Sequence, residues 1–470
     1  MEYKWTVLSV TTVGVLMSGI DSRILIIGLP QIASVMHADA EQAVWFTQGY
    51  ALASTIMLLL IGRVTDIFGR VKLYNTGFII FTVCSLLTGL AQSPEQIVIF
   101  RIMQGLGSSI IWSNSIAMIT DATPKEQLGY SLGVNAIAAN LGSVFGLTVS
   151  GLILFFFDWR YLFYVNVPIG IFGVIWAQLR LREIAHTERG ATVDWVGFGA
   201  FAVSITSFLL ALTYAAYGIA EQRTVDVLLA LSLAMMLLFV TYERKAKSPL
   251  LDLKLLRIRE FGSSVAALLI NVAAFSSLAL LLSLYFQLVV GLSPLEAGLR
   301  LLPLDATTVL MAPLSGKLSD RFGQTPFIIG GLSLTSVTTY LFSTVDASTP
   351  YVEIAIYMIL LGVATSVFLA PNASFGMSAV PNQRRGVAAS VRSTFWNVGL
   401  TVSLNLTVWI MTFSVPYAVI TQVISTIIPL GAAFADRTLF MGGLKLAYVW
   451  LAALNSFALV PSVLGILKKR

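Results

Sequence analysis

The sequence predicts an all-α polytopic membrane protein: two six-helix bundles with an inserted pair of helices, fourteen spans in all. Three observations carry that expectation. The 470 residues are 57% hydrophobic and 11% charged, against roughly 25% charged in ordinary globular proteins. Mean hydropathy is +0.85, and apolar runs long enough to cross a bilayer, about 20 residues at 1.5 Å each, follow one another along the chain. Third, the chain repeats itself. The loop Gly62-Arg63-Val64-Thr65-Asp66-Ile67-Phe68-Gly69-Arg70-Val71-Lys72 returns, degraded, as Gly316-Lys317-Leu318-Ser319-Asp320-Arg321-Phe322-Gly323-Gln324, 254 positions on. A second match sets Pro124 to Gly129 against Pro381 to Gly386, and Asn140-Leu141-Gly142 against Asn397-Val398-Gly399, at an offset of 257. Two matches at nearly one offset read as a duplicated half.

The spans follow in order. The first, 5–29, is too long for a signal-peptide core and carries Asp21 and Arg23. Spans 2 and 3, at 43–63 and 73–91, flank the basic loop, where Gly62 and Gly69 permit a tight turn. Span 4, at 96–119, carries Arg101 and Trp112. Span 5, at 128–156, opens after Pro124 and sets Gly142, Gly146 and Ser150 on one face, a spacing that lets two helix backbones approach. Span 6 is 160–180, and a basic linker from Leu181 to Asp194 follows. The inserted pair is 195–217 and 225–242, with a charged linker from Glu243 to Glu260. Then come 261–290, 296–318, 326–344, 352–376, 386–413 and 438–467. Each is read as a helix, since a lone segment in lipid must satisfy its own backbone and the alternation of barrel strands is absent. The expected regions are 1–180, a six-helix bundle; 181–260, a linker with two further helices; and 261–470, a second bundle with an apolar outer loop at 414–437.

Loop charge sets orientation. Alternate connections and ends hold Lys4, Arg63, Arg70, Lys72, Lys125, the linker cations, Lys317, Arg321, Arg384, Arg385 and Lys468-Lys469-Arg470; the others hold Arg160, Arg223, Arg437 and Lys445. The imbalance, roughly five to one, places the first set and both termini in the cytoplasm of a cell bounded by its plasma membrane. The composition also excludes. One cysteine, Cys84, rules out an internal disulfide and a cysteine metal cluster, and two histidines, His37 and His186, make no multi-histidine site. There is no phosphate-binding loop for ATP, no hydrolase elbow and no basic–aromatic pattern for nucleic acid. No cofactor is expected, so energy must come from a proton or other ion gradient, or from the solute's own. The expected partners are a small-molecule substrate and the lipid bilayer, and the expected state is a monomer. The polar linkers are too short to house the soluble domain that a membrane sensor or scaffold would need.

Several segments resemble the major facilitator superfamily. The loop from Gly62 to Lys72 is similar to its signature between helices 2 and 3, with Val64 and Ile67 as mild departures. Arg101-Ile102-Met103-Gln104-Gly105-Leu106-Gly107 resembles its helix-4 signature. Leu16-Met17-Ser18-Gly19-Ile20-Asp21, Leu29-Pro30, and the run from Trp159 to Gly170 with Asn166-Val167-Pro168 resemble the fourteen-helix drug:proton antiporter branch. Together the matches span the chain. The resemblance implies alternating access between two halves, and a cytoplasmic gate built from Gly62, Asp66, Gly69, Arg70, Asp121 and Asp320. In it Asp66 caps the helix that starts near Gly386, and Arg70 pairs with Asp121. Two departures count against antiport or leave it open: Leu147 and Ser150 replace a proline and a glycine of the helix-5 signature, and Arg23 stands where a small hydroxyl is usual.

The charges inside spans are the candidate chemistry, since each costs at least about 2.5 kcal/mol unless it faces a cavity or a partner. Asp21 and Asp305 are the candidate proton or cation sites. Arg101 is the expected partner of Asp21, Arg23 an alternative, and Arg392 a group that either neutralises Asp305, meets an anionic solute or reaches for the membrane surface. Asn140, Asn397, Trp112, Trp396 and Tyr285 are candidate cavity residues. The favoured function is proton-coupled efflux of lipophilic or cationic compounds. The alternative is a carrier of an anionic or zwitterionic metabolite, with Arg23, Arg101 and Arg392 as its ligands.

Overall fold

Each expected span is helical. The computed structural model describes the backbone of residues 3–124, 127–183, 194–218, 221–246, 250–251, 253–381, 384–416 and 434–466. The side chains of some helical residues, Gly62, Asp66 and Asn140 among them, lie outside the described set. The helices are α1 (Tyr3–Val35), α2 (Ala40–Phe68), α3 (Arg70–Gly89), α4 (Pro94–Ala122), α5 (Leu128–Phe156), α6 (Tyr161–Tyr164), α7 (Asn166–Arg180), α8 (Trp195–Tyr217) and α9 (Gln222–Glu243). They continue as α10 (Arg259–Phe275), α11 (Leu278–Leu284), α12 (Pro294–Phe322), α13 (Gln324–Leu341), α14 (Tyr351–Ser378), α15 (Arg385–Met411), α16 (Phe434–Phe457) and α17 (Leu459–Ile466). Among the described residues there is no strand.

Local chemistry fixes the ends. Asp39 and Gln42 form a capping box at the start of α2, and Ser293 with Glu296 does the same for α12, where Pro294 takes the first turn. Gly69 and Gly323, at the repeated loop, have φ of 92° and 90°. A side chain would be strained there, so the glycine is what lets α2 pass into α3 and α12 into α13 without a longer loop. Two expected spans are broken. The sixth divides at Val165 into α6 and α7. The ninth divides at Ser276–Ser277 into α10 and α11 and ends in a π-helical turn, Tyr285–Val289.

Contacts divide the chain into two compact units. The first holds Met1–Ile205 with Met235–Leu250, and the second holds Thr206–Ala234, Leu251–Val423 and the C-terminal helices. The division runs through α8 and α9. The first unit's core gathers Tyr74, Phe78 and Phe81 of α3 with Val10, Met17 and Ile111. The second gathers Leu268, Val272, Leu332 and Phe368. In the first unit α1 and α5 touch backbone to backbone. A Cβ on Gly142 would lie 2.4 Å from the Leu16 carbonyl oxygen, and one on Gly146 would lie 2.5 Å from that of Ile20.

Among the described residues, eleven helical segments are long and apolar enough to cross a membrane. The long helices α4, α12 and α15 fall outside that set, and they carry Arg101, Asp305 and Arg392. Large apolar side chains on the outside, such as Leu310 and Leu179, are 73% and 75% exposed, an arrangement suited to lipid and not to water.

Candidate functional site

The strongest concentration of buried charge lies inside the first unit. Asp21, on α1, is 0% exposed, and Arg101, on α4, is 2% exposed. Arg101 Nη1 donates to Asp21 Oδ2 at 2.6 Å. Moving either charge out of water alone would cost several kcal/mol, and a paired, hydrogen-bonded geometry is what makes both tolerable. The surrounding residues complete it. Gln104, three residues after Arg101 and so on the same helical face, accepts from Arg101 at 2.7 Å and donates to Asp21 Oδ1 at 3.0 Å. Asn166, the first residue of α7, donates to the same Oδ1 at 2.9 Å. Arg101 Nε donates to the Phe46 carbonyl at 3.0 Å, and its guanidinium lies 4.3 Å from the centre of the Tyr50 ring. Ser85 of α3 donates to the Phe163 carbonyl at 3.0 Å and accepts from both amides, Gln104 at 3.2 Å and Asn166 at 3.3 Å.

Of the expected partners, then, Arg101 holds Asp21 and Arg23 does not. Sequence reasoning quoted Gln104 and Asn166 inside motifs without assigning them a task, and it missed Ser85, Phe46 and Tyr50. The i to i+3 spacing of Arg101 and Gln104 was the available signal for Gln104.

In the second unit Asp305 is buried on α12, 8% exposed. Thr307 and Thr308 next to it turn their hydroxyls back to the Pro303 and Leu304 carbonyls, at 2.6 and 2.9 Å. Arg392 does not reach Asp305. Its contacts are long and neutral: Ser264 Oγ at 3.4 Å and the Leu369 carbonyl at 3.5 Å. Trp396 is half-buried, 6.4 Å from Phe275 between ring centres, and packs on the unit's core. Asn397 bonds its own helix at the Ser393 carbonyl, 2.9 Å. Tyr285 donates to the Asp346 carbonyl at 2.8 Å, beside the Asp346–Lys445 ion pair at 2.5 Å. Trp112 is half-buried on α4.

At the basic loop, Arg70 pairs with Asp121 and donates to the Ala117 carbonyl at 2.9 Å. The repeat keeps the connection in neutral form: Gln324 donates to Ser374 at 2.7 Å. Asp320 is exposed at the end of α12. The implied contact of Asp66 near Gly386 lies outside the described residues. One contact was not foreseen. Glu183, in the linker after α7, accepts from the backbone N–H of Arg70 at 3.0 Å and of Val71 at 2.9 Å. It caps α3, whose own N-cap residue is a glycine without a side chain to do so. The linker is fixed further where the Tyr3 hydroxyl donates to the Arg182 carbonyl and accepts from its N–H, both at 2.7 Å. Glu183→Ala should free the start of α3. A cysteine at Lys72 should then react several-fold faster with a maleimide than in the parent, and Glu183→Gln, which keeps one acceptor, should lie between. Equal rates in all three would mean that Glu183 does not hold the loop.

The comparisons with known proteins agree with this architecture. The model of the Major Facilitator Superfamily matches residues 11–404. The chain belongs to the Major Facilitator Superfamily. A riboflavin transporter of Clostridioides difficile, RibZ, is 29% identical over 402 residues, covering 85% of this chain and 86% of its own length. The tetracenomycin C resistance and export protein of Streptomyces glaucescens is 28% identical over 397 residues, 84% of this chain and 73% of that protein. A bacterial homologue of the human lysosomal transporter Spinster, solved in an inward-facing and occupied conformation, superposes with a TM-score of 0.66 at 17% identity, covering 99% of this chain and 97% of that one. Such a superfamily member is a multi-pass membrane transporter of small molecules and not an enzyme.

Proposed function

We propose that this superfamily member exports lipophilic or cationic compounds across the plasma membrane in exchange for protons. It acts as a monomer with fourteen crossings and both termini in the cytoplasm. The Arg101–Asp21 contact, 2% and 0% exposed, is the observation that carries the reading. A carboxylate held there is out of reach of a bulky solute but can take a proton. Protonation removes the negative charge, so Arg101 loses its counter-ion and the contact that joins α1 to α4 weakens. The two protonation states then favour different packings, which is what coupling requires. Asp305, buried in the other unit, is the second carboxylate at membrane depth, and its role is to meet a cationic solute. Arg70 with Asp121, and the repeated loop with Asp320, would steady the inner gate. Relatives named for drug resistance and export support the substrate class: the tetracenomycin C protein and the multidrug resistance protein Stp of Mycobacterium tuberculosis.

The test is proton movement driven by tetraphenylphosphonium or ethidium in proteoliposomes. Asp21→Asn should abolish coupled proton flux, because an amide keeps the shape and loses the titration. Asp305→Asn should weaken cation transport and spare the proton response to neutral lipophilic compounds. Intact coupling in Asp21→Asn would sink the mechanism. A second reading has one observation in its favour: among the described residues, Arg392 on α15 hydrogen-bonds to neutral groups alone. That arrangement would suit an anionic or zwitterionic solute, and one relative is named a riboflavin transporter. Uptake or exchange of labelled riboflavin and organic anions that is lost in Arg392→Gln, with no response to lipophilic cations, would replace the first reading by the second.

A further inference from the structure

We infer that Asn166 reads the protonation state of Asp21 by turning its side-chain amide. The inference rests on the reading of Asp21 as the proton site. Among the described residues the groups bonded to Asp21 are all donors: Arg101 on Oδ2, and Gln104 and Asn166 on Oδ1. A carboxylate is served by such a shell. A carboxylic acid is not, because it brings a proton of its own that needs an acceptor.

The shell offers few. Gln104 Oε1 is occupied by Arg101 at 2.7 Å. Turning that amide would point its NH2 at the guanidinium, donor against donor. Ser85 Oγ already takes two amide N–H groups and gives its proton to the Phe163 carbonyl. Ser18, one turn earlier on α1, has a buried hydroxyl without a hydrogen-bond partner among the described residues and makes no hydrogen bond to the carboxylate. Asn166 differs. It already touches Asp21 through Nδ2, it is 0% exposed, and its Oδ1 has no hydrogen-bond partner among the described residues. The terminal torsion of an asparagine is broad and roughly two-fold, so a half-turn exchanges oxygen for nitrogen at small cost. With Nδ2 forward, Asn166 donates to the carboxylate. With Oδ1 forward, it accepts from the acid. Among the described residues, the other charged or titratable groups facing the pair are Arg101 from α4 and Tyr50 from α2. Among the described residues, α5 lies against α1 here through Ala139, Gly142, Ser143 and Gly146, none of them charged, and α3 and α6 bring Ser85 and Phe163.

Position gives the turn a consequence. Asn166 is the first residue of α7, directly after the break at Val165. A change in its hydrogen bonds therefore acts on the outset of a fifteen-residue helix and not on its middle. Asn166 is thus a positioning residue that passes the state of Asp21 to α7.

The experiment is infrared difference spectroscopy of the purified full-length protein between high and low pH, with hydrogen–deuterium exchange. Asp21→Asn assigns the carboxyl band. Asn166→Thr and Asn166→Val have the same shape and differ by a hydroxyl that can either donate or accept. The parent should show an Asp21 carboxyl band on acidification, together with a change in a side-chain amide band that both Asn166 variants lose. In Asn166→Val the carboxyl band should move to higher frequency, as an acid without an acceptor does, and in Asn166→Thr it should return to the parent position. An Asp21 band at the same frequency in parent, Thr and Val variants would overturn the role of Asn166 and leave the proton site standing. A spectrum in which Asp21→Asn removes no band would overturn the proton site itself, and this inference with it.

Discussion

Arg101→Leu should destabilise the first unit by about 3–5 kcal/mol, the cost of leaving a buried charge without its partner. Asp21 is 0% exposed, and its remaining donors, Gln104 and Asn166, are neutral. The double variant Asp21→Asn with Arg101→Leu should recover most of that loss, because no charge is then stranded. The chain provides its own reporter. Its one cysteine, Cys84, is buried in α3 next to Ser85, so the temperature at which it reacts with a thiol dye measures opening beside the ion pair. A single variant as stable as the parent would show that Asp21 finds another partner. A double variant no better than the single would show that packing, and not charge, is what Arg101 supplies.

The second large effect is expected at the contact of α1 with α5. Gly146→Val places a branched side chain where a bare Cβ would already sit 2.5 Å from the Ile20 carbonyl oxygen. Backbone cannot yield as a flexible side chain does, so the two helices must separate. The expected loss is about 1–3 kcal/mol, the range for overpacking a filled interior. It should appear as a lower midpoint of thermal unfolding and poorer yield of monodisperse protein. The same helix supplies the control. A Cβ on Gly133 meets nothing within 4 Å, and Gly133→Ala should be neutral or gain up to about 1 kcal/mol from helix propensity. If both substitutions act alike, propensity and not close approach governs α5.

What the sequence made legible follows from how hard each physical rule is. A segment in lipid has few choices, so the helices lie close to where the apolar runs place them; α5 coincides with its expected 128–156. The breaks at Val165 and at Ser276–Ser277 were invisible, because a one- or two-residue interruption hardly disturbs an apolar run that continues through it. The pairing of Asp21 with Arg101 was open to inference, since a charge at membrane depth needs a counter-charge and the family pattern offers one. Gln104 and Asn166 were not singled out for a different reason. A neutral amide can be satisfied by any carbonyl nearby, so its sequence position does not name its partner. Asn397 shows the point, being spent on its own helix at the Ser393 carbonyl. Glu183 was hidden for the opposite reason. It lies in a linker with several charges, and nothing in the sequence says which of them turns back to close the end of α3.

The ring of Tyr50 beneath Arg101 has a consequence for reversibility. A switch that discharges one member of an ion pair leaves the other bare in a medium that solvates it poorly, and such a state would trap or tear the structure. Here the guanidinium rests 4.3 Å from an aromatic face, a contact that can supply about 2 kcal/mol when water is absent. It keeps the Phe46 carbonyl and the Gln104 oxygen as well. If Asp21 takes the proton as proposed, Arg101 has a berth to wait in and need not travel in search of another acid. In the proposed mechanism the pair then re-forms as soon as the proton leaves, and the first unit can run that cycle in both directions.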